Sequence, residues 1–223
     1  DRKSDEKGKC VDLGGDRIIK KKIDSKTVIR GFNAELGDGY SNQIGFMMLS
    51  VPQSSFKYYT PSGKVFGREG LQLFNLRYYT NTPSDVPGLF YKGEIAYERN
   101  SNFSMKSFAG YSEIGWSFAK SKGAPALRYR YAFFSGDDPE TETYERWDPL
   151  LTGGNGEEWV IGANHFKVVQ NSNMNVHQLQ ANFRPWPRIE LVPQAMYMYA
   201  VNNNNIGGNP ALGYLPKKEY GAE

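Results

Sequence analysis

The amino-acid sequence predicts an all-β fold: an antiparallel, up-and-down transmembrane β-barrel, in which residues 1–223 form a single domain of roughly ten strands. Three observations predict it. Apolar and polar residues alternate with a period of two along most of the chain. Aromatic residues make up 14% of a chain whose mean hydropathy is only −0.62. No apolar run approaches the ~18 residues that a membrane-spanning helix needs.

The clearest predicted strand covers residues 106–119. Phe108, Ile114 and Trp116 fall on even positions, whereas the odd positions carry small or polar residues such as Ser107 and Glu113. Successive side chains of a strand point to opposite faces of the sheet, so one face of this strand is apolar and the other polar. Its length exceeds that of most strands in globular proteins and suits a tilted strand that crosses a bilayer.

The same alternation, stronger in some segments than in others, predicts the remaining strands. They are expected near residues 27–36, 42–50, 71–80, 90–98, 126–134, 158–169, 175–184 and 188–200. Glycine and proline predict short turns at 35–39, 121–125 and 185–187. Two connections are long, 135–157 and 201–217. Because three predicted strands separate these two connections, we expect them to open on opposite sides of the barrel.

Alternation is also expected in a soluble β-sandwich, so the composition of the two faces has to distinguish a membrane barrel from a soluble fold. A closed soluble barrel turns its apolar residues inward. Here the apolar face is rich in Tyr, Trp and Phe, while the opposite face carries Arg, Glu, Gln and Asn. These charged groups need water, which favours a water-filled lumen and a lipid-facing aromatic surface, although a one-sided soluble sheet would show the same pattern.

The predicted lumenal face carries the candidate binding residues. Its basic members are Arg77, Lys92, Arg128, Arg130, Arg184 and Arg188, and its acidic members are Glu94, Glu98, Glu113 and Glu190. Basic residues in a pore favour anions, and guanidinium groups bind carboxylates through paired hydrogen bonds. Arg128 and Arg130 share one face of one strand and form the best candidate for a carboxylate-binding ladder. The alternative is that these charges pair across strands and brace the wall.

Other kinds of chemistry find little support in the sequence. His165 and His177 lie on different predicted strands, both on the aromatic face, and no catalytic or phosphate-binding motif occurs. We therefore predict neither an enzyme nor a cofactor. A net charge of +3 without a basic stripe argues against nucleic-acid binding.

Acidic residues cluster in the connection 135–157. Asp137, Asp138 and Glu140 are a weak candidate for Ca²⁺, because calcium prefers oxygen ligands. Their spacing matches no known calcium loop, and a solvated surface loop is the favoured interpretation. Cys10 stands alone and is interpreted as a loop residue.

Residues 126–154 resemble the bacterial alginate-export family of outer-membrane proteins, with the sequence ALRYRYAFFSGDDPETETYERWDPLLTGG. The Arg-x-Arg-Tyr strand, the Ser-Gly-Asp-Asp-Pro turn and the Trp-Asp-Pro-Leu segment carry the similarity. Further similar segments are GREGLQLFNLRYY at 67–79, DVPGLFYKGEIAYERN at 85–100 and NNIGGNPALGYL at 204–215. The resemblance covers about residues 65–223, and residues 1–64 match less distinctly.

The resemblance implies an outer-membrane barrel of about 18 strands, of which this chain is an interior portion. It implies export of an alginate-like uronate polymer through a basic lumen, with outer-membrane lipid and periplasmic secretion proteins as partners. Segment 201–217 would cover the pore on the periplasmic side, and loop 135–157 would be extracellular. The alternatives are a general or anion-selective uptake porin, and a non-transporting structural β-domain.

Overall fold

A computed structural model describes residues 27–37, 42–60, 63–80, 87–150, 171–204, 207 and 219–222. The described chain is all-β and contains twelve strands. They are β1 (Val28–Gly37), β2 (Asn42–Gln53), β3 (Lys57–Tyr59), β4 (Val65–Gly67), β5 (Leu71–Thr80), β6 (Gly88–Asn100), β7 (Ser107–Ser117), β8 (Ala126–Phe134), β9 (Met174–Trp186), β10 (Ile189–Leu191), β11 (Gln194–Ala200) and β12 (Tyr220–Ala222). No helix among these residues is long and apolar enough to cross a membrane.

Ten of the strands form one antiparallel sheet, in the order β1-β2-β5-β6-β7-β8-β9-β11-β12, with β10 paired to β9. Neighbours in the sheet follow one another along the chain, so the sheet is an up-and-down meander. Strands β3 and β4 form a separate hairpin within the connection from β2 to β5. The predicted antiparallel all-β fold is confirmed. Strands β1 and β12 form the two edges, and the described sheet is open rather than closed.

The register places the apolar residues of successive strands on one face. Phe46 of β2 lies opposite Leu76 of β5, which lies opposite Ile95 of β6. Further along the sheet, Trp116 lies opposite Leu127. We call this surface the aromatic face. Its exposed members are Phe32, Leu36, Ile44, Phe46, Met48, Leu76, Tyr78, Leu89, Tyr91, Ile95, Phe108, Ile114, Trp116, Leu127, Tyr129, Leu179, Tyr197 and Tyr220.

The opposite surface, which we call the charged face, has two parts. Near the ends of the strands at Phe134, Met174 and Ala200 it carries a buried apolar cluster. Toward the other ends of the same strands it carries Arg, Lys, Glu and Gln side chains. Loops cover the apolar part, because Tyr58, Tyr144, Trp147 and Leu150 belong to the same buried cluster. We call residues 57–60 and 63–67, the hairpin half, and residues 144–150 together the cap.

Long and short connections lie at opposite ends of the sheet. The connections 38–41, 81–87, 118–125 and 187–193 are short and lie at one end, which we call the turn end. At the other end, the loop end, lie 54–70, 101–106, the 135–173 connection and 201–219. Only 101–106 is short in this second group. The separation follows from the antiparallel meander, in which every second connection returns to the same end.

The predicted placement of 135–157 and 201–217 on opposite sides is wrong. Their described parts, 135–150 and 201–204, lie together at the loop end: Phe134 and Ala200 are both paired with Met174. Arg146 Nη2 donates to the Gly207 carbonyl at 3.0 Å, which joins the two connections directly. The error has a simple cause. Strand β8 pairs directly with β9, so among the described strands β9 and β11 separate the two connections, and the strand predicted at 158–169 lies outside the described residues.

Most predicted strands are confirmed, and the strand predicted near 158–169 lies outside the described residues. The segment predicted as one strand at 188–200 is split into β10 and β11, with Val192 and Pro193 between them, and the short strand β12 was not predicted. The hairpin β3–β4 was not predicted, because a strand of three residues is too short to show alternation. The predicted turn at 121–125 is confirmed, and Gly123 and Ala124 adopt positive φ angles of 80° and 42° there.

Candidate functional site

The predicted arginine ladder lies on the charged face of β8. Arg130 Nε donates to Glu113 Oε2 at 2.8 Å, and its guanidinium lies 4.7 Å from the centre of the Tyr111 ring. Arg128 approaches the same carboxylate more loosely, with 3.9 Å between Nη1 and Oε1. Glu113 is 1% exposed. The buried Glu113 carboxylate therefore contacts both arginines, and its contact with Arg130 is the shorter one.

Unsatisfied polar atoms remain between Arg128 and Glu113. Arg128 Nε and Glu113 Oε1 are buried and have no hydrogen-bond partner among the described residues. A buried polar atom without a partner is unfavourable unless water or a ligand reaches it. The Arg128 side chain is half-buried, so it remains accessible from one side. Arg128 is therefore better suited than Arg130 to bind an external anion.

Glutamine amides extend the ladder onto the next strands. Gln180 lies opposite Arg128 and Gln178 opposite Arg130, and Gln194 of β11 is the cross-strand partner of Gln180. Gln178 Nε2 donates to Gln194 Oε1 at 3.1 Å. Amides both donate and accept hydrogen bonds, as sugar hydroxyl groups do. The surface beside the arginines is thus polar and uncharged, a suitable complement to a carbohydrate.

Two other candidates have different surroundings. Arg77 is buried and forms an ion pair with Glu35, and it also donates to Asn33 Oδ1 at 2.6 Å and to Asn75 Oδ1 at 3.2 Å. These contacts join Arg77 to polar groups of β1 and of its own strand, so Arg77 braces neighbouring strands, as in the alternative interpretation. Lys92 is half-buried and lies opposite Glu113 in the register. It adds positive charge beside the arginine ladder.

The last two predicted candidates lie near the turn end. Arg184 forms an exposed ion pair of 3.3 Å with Glu190. Arg188 is not on a strand, because it lies in the exposed turn between β9 and β10. Its prediction as a residue on a lumen-facing strand is therefore wrong. The structure extends β9 to Trp186 and places the turn at Pro187 and Arg188, so the next strand begins at Ile189 and not at Arg188.

A second polar cluster joins the cap to the sheet. Arg68 donates to both carboxylate oxygens of Asp148, at 2.6 and 2.8 Å, and Tyr58 Oη donates to Asp148 Oδ2 at 2.6 Å. All three residues are buried. Burial, and secondarily the Asp148 charge, raise the pKa of Tyr58 far above its usual range, so the phenol stays neutral and donates. The sequence did not predict this cluster.

Glu98 anchors the cap on the charged face of β6. This residue is 0% exposed, and its Oε2 accepts hydrogen bonds from Ser107 Oγ at 2.8 Å and from the Asp148 backbone N–H at 3.0 Å. Glu98 was predicted as a lumenal charge available to water. The structure instead buries it beneath the cap, where it positions the backbone of residue 148.

The acidic connection is only partly the solvated loop that was predicted. Glu140 and Glu142 are exposed, but Asp148 is buried within the cap. Asp137 accepts a hydrogen bond from the Glu145 backbone N–H at 2.8 Å, and burial raises the pKa of its carboxyl to about 6. Among the described residues, no three His, Cys, Asp or Glu side chains meet in a group that could hold a metal ion. The weak calcium candidate at Asp137, Asp138 and Glu140 therefore gains no support.

His177 lies on the aromatic face, as predicted, within a group of tyrosines. Its Nδ1 shares a hydrogen bond of 2.7 Å with Tyr129 Oη. The rings of Tyr131, Tyr197 and Tyr199 lie within 6.3 Å of the imidazole, measured between ring centres. The tyrosines thus surround the imidazole of His177, and Tyr129 provides a hydrogen-bond partner for its Nδ1. His165 lies outside the described residues.

No family model, no curated protein and no solved structure matches this chain. The alginate-export resemblance therefore stays a prediction, and function has to be inferred from geometry. Sequence alternation located Arg128 and Arg130 because two arginines at a spacing of two mark one face of a strand. Gln178, Gln180 and Gln194 carry the same alternation, but uncharged amides gave no separate signal of binding.

Proposed function

We propose that this chain forms part of the wall of an outer-membrane β-barrel that passes an anionic, uronate-type polysaccharide through a polar lumen. One observation carries the proposal: a single meander sheet exposes aromatic and aliphatic side chains over one face and places Arg77, Arg128 and Arg130 on the other, while Arg30 and Arg99 lie at the loop-end border of the aromatic face. Trp116 is 47% exposed and Ile95 64% exposed, although both lie far from the sheet edges. Soluble monomers rarely leave so large an apolar patch uncovered.

The arrangement of the aromatic side chains supports a lipid-facing role. Along β6, Tyr91 lies near the turn end and Tyr97 near the loop end, with Ile95 between them. Six residues of strand span about 20 Å, close to the height of the apolar band of outer-membrane barrels. Tyr78 contacts Tyr91 at the turn end and Phe108 contacts Tyr97 at the loop end. Two such rows correspond to the aromatic girdles at the membrane interfaces.

The unequal connections support the same proposal and suggest its orientation. Outer-membrane barrels have short turns on the periplasmic side and longer loops on the outside. The loop end of this sheet would then be extracellular, together with the described parts of the two long connections, 135–150 and 201–204. This orientation keeps the expected extracellular position of the first connection and replaces the periplasmic position expected of the second. Strands β1 and β12 would pair with further strands to close the barrel.

Charge on the polar face favours an anionic polymer. Around Glu113, three cations, Lys92, Arg128 and Arg130, face one carboxylate. Positive charge concentrated on one part of a lumen attracts polyanions and raises their local concentration. Arg128 would bind a uronate carboxylate, and the glutamine row would contact hydroxyl groups of the neighbouring sugar. The row of arginine and glutamine side chains is long, which suits a polymer. A general anion porin needs no such extended binding surface.

Conductance in planar bilayers tests the proposal. We expect oligouronates to block the current and neutral oligosaccharides of equal length to leave it unchanged. Replacing both Arg128 and Arg130 by Gln should weaken the block roughly tenfold or more, because a hydrogen bond to a charged group contributes about 1.5–3 kcal/mol. The matched control is Arg188→Gln, which removes a positive charge from the exposed turn and should leave the block unchanged.

The other outcomes are equally clear. Conductance of simple salts without any block by oligouronates would indicate a general porin and contradict the polysaccharide channel. A monodisperse protein that stays in solution without detergent would indicate a structural β-domain and contradict the barrel itself.

A further inference from the structure

Three connections at the loop end meet over the charged face instead of extending away from the sheet. Phe103, in the connection between β6 and β7, stacks on Phe66 of the hairpin with 4.4 Å between ring centres. Tyr144 lies 4.9 Å from Tyr58, again between ring centres, and Met105 forms a backbone bridge with Tyr144. The cap thus packs as one body, with side chains from the hairpin and from 144–150 interleaved.

The cap lies directly on residues of the charged face. Trp147 and Leu150 share a buried cluster with apolar residues of that face from β5, β8 and β9, such as Leu73, Phe134 and Val176. Asp148 is 4% exposed and reaches Glu98 of β6 through its backbone N–H. In a closed barrel this face lines the lumen, so the cap would occupy the lumen at its loop end.

A buried ion pair links the 144–150 half of the cap to Arg68, the residue that directly follows the hairpin half. The side chains of Arg68 and Asp148 form two hydrogen bonds. Tyr58 adds a third bond to the same carboxylate. A buried charge that loses its partner is strongly unfavourable, so these contacts either hold together or separate together. The rings of Tyr58 and Tyr144 also pack against each other across the two halves.

We propose that the cap is a plug that narrows the channel at the loop end, and that the Arg68–Asp148 pair holds the plug in its closed position. This inference rests on the proposed function, because only a channel can be plugged. It adds a closing element to that function: the polar row near Arg128 is the binding surface, and the cap controls access to it. Arg146, which donates to Ser172 Oγ at 3.1 Å and to the Gly207 carbonyl, ties the plug to the neighbouring connections.

Salt conductance of Asp148→Asn tests the plug. The amide is nearly isosteric and keeps an acceptor for Tyr58, but it removes the negative charge that Arg68 binds directly. We expect the mean single-channel conductance, or the fraction of time spent open, to rise several-fold over the unmodified protein. The charge-matched control is Glu142→Gln in the exposed part of the same connection, for which we expect no change. Hydrogen exchange of amides 144–150 reports separately whether the cap has been released.

A second variant tests the plug independently, in case Asp148→Asn does not fold. Replacing residues 57–67 by a short Gly-Ser linker removes the hairpin half of the plug while leaving the strands of the large sheet intact, and it should also raise conductance several-fold. Released amides at 144–150 together with unchanged conductance in both variants would overturn the plug and leave the channel standing. A folded protein that never conducts, with or without these changes, would overturn the proposed function and the plug with it.

Discussion

Replacing Leu179 by arginine is expected to lower the free energy of unfolding in phospholipid bilayers by roughly 2–4 kcal/mol, the cost of an arginine facing the middle of a membrane. Leu179 lies on the aromatic face between Tyr129 and Ala195 and is 51% exposed. In a soluble sheet the same substitution would be nearly neutral, because an exposed leucine contributes little to packing. Urea titration in vesicles, followed by tryptophan fluorescence, measures the change.

The neighbouring position supplies the control. Gln180 lies on the charged face, is half-buried and pairs with Gln194 across the sheet. Gln180→Arg therefore introduces the same side chain one residue along the same strand, but toward the polar side. We expect a change below about 1 kcal/mol for this variant, as for other polar substitutions at accessible sites. Equal costs for the two substitutions would contradict a lipid-facing aromatic surface.

Replacing Asp148 by asparagine is expected to destabilise the fold by about 3–5 kcal/mol, which is the range for removing one partner of a buried ion pair. Arg68 and Asp148 are both buried, and the guanidinium loses its two charge-assisted bonds. Equilibrium unfolding in detergent micelles or vesicles measures the loss. The loss of stability arises mainly because the buried Arg68 loses the carboxylate that it binds, and less from any loss of packing.

A double variant separates these two causes. Combining Asp148→Asn with Arg68→Met removes the stranded charge and keeps an acceptor for Tyr58. Because an apolar replacement of a buried pair is often neutral, most of the lost stability should return. If the double variant were as unstable as the single one, the ion pair would not be the element that holds the cap.

Alternation along the sequence predicted most strands of the large sheet, but not the short strand β12 or the division between β10 and β11. Residues 106–119, for example, show which face each side chain occupies, and the structure places Trp116 and Glu113 on opposite faces as expected. Alternation is a local property, so it can be recognised in one strand without knowing which strands are its neighbours. Whether the sheet closes depends on contacts between distant strands, which no local pattern contains.

The cap could not be predicted for the same reason. Arg68 and Asp148 are separated by 80 residues; the acidic connection that contains Asp148 was interpreted as a solvated loop, and Arg68 gave no separate signal. Glu98 looked like its lumenal neighbours because it obeys the same alternation, yet a loop from another part of the chain buries it. Pairing of charges across such distances requires the folded structure.

The error over the two long connections has a different origin. Residues 158–169 show alternation, and counting them as a barrel strand changed the number of crossings between the connections by one. The direct pairing of Phe134 with Met174 shows that β8 and β9 are neighbours. An error of one in the number of strands reverses the predicted side of every later connection. A topology predicted by counting strands is therefore more easily wrong than the strands themselves.

The sidedness of the sheet is tested most directly by spin labels along β9 in lipid vesicles. Single cysteines at residues 179–184, in a background in which Cys10 is replaced by serine, would each carry a nitroxide. We predict high oxygen accessibility at the odd positions, which lie on the aromatic face, and high accessibility to a water-soluble nickel chelate at the even positions. Equal accessibility of both positions to the nickel chelate would show that water covers both faces, and would contradict a membrane-embedded sheet.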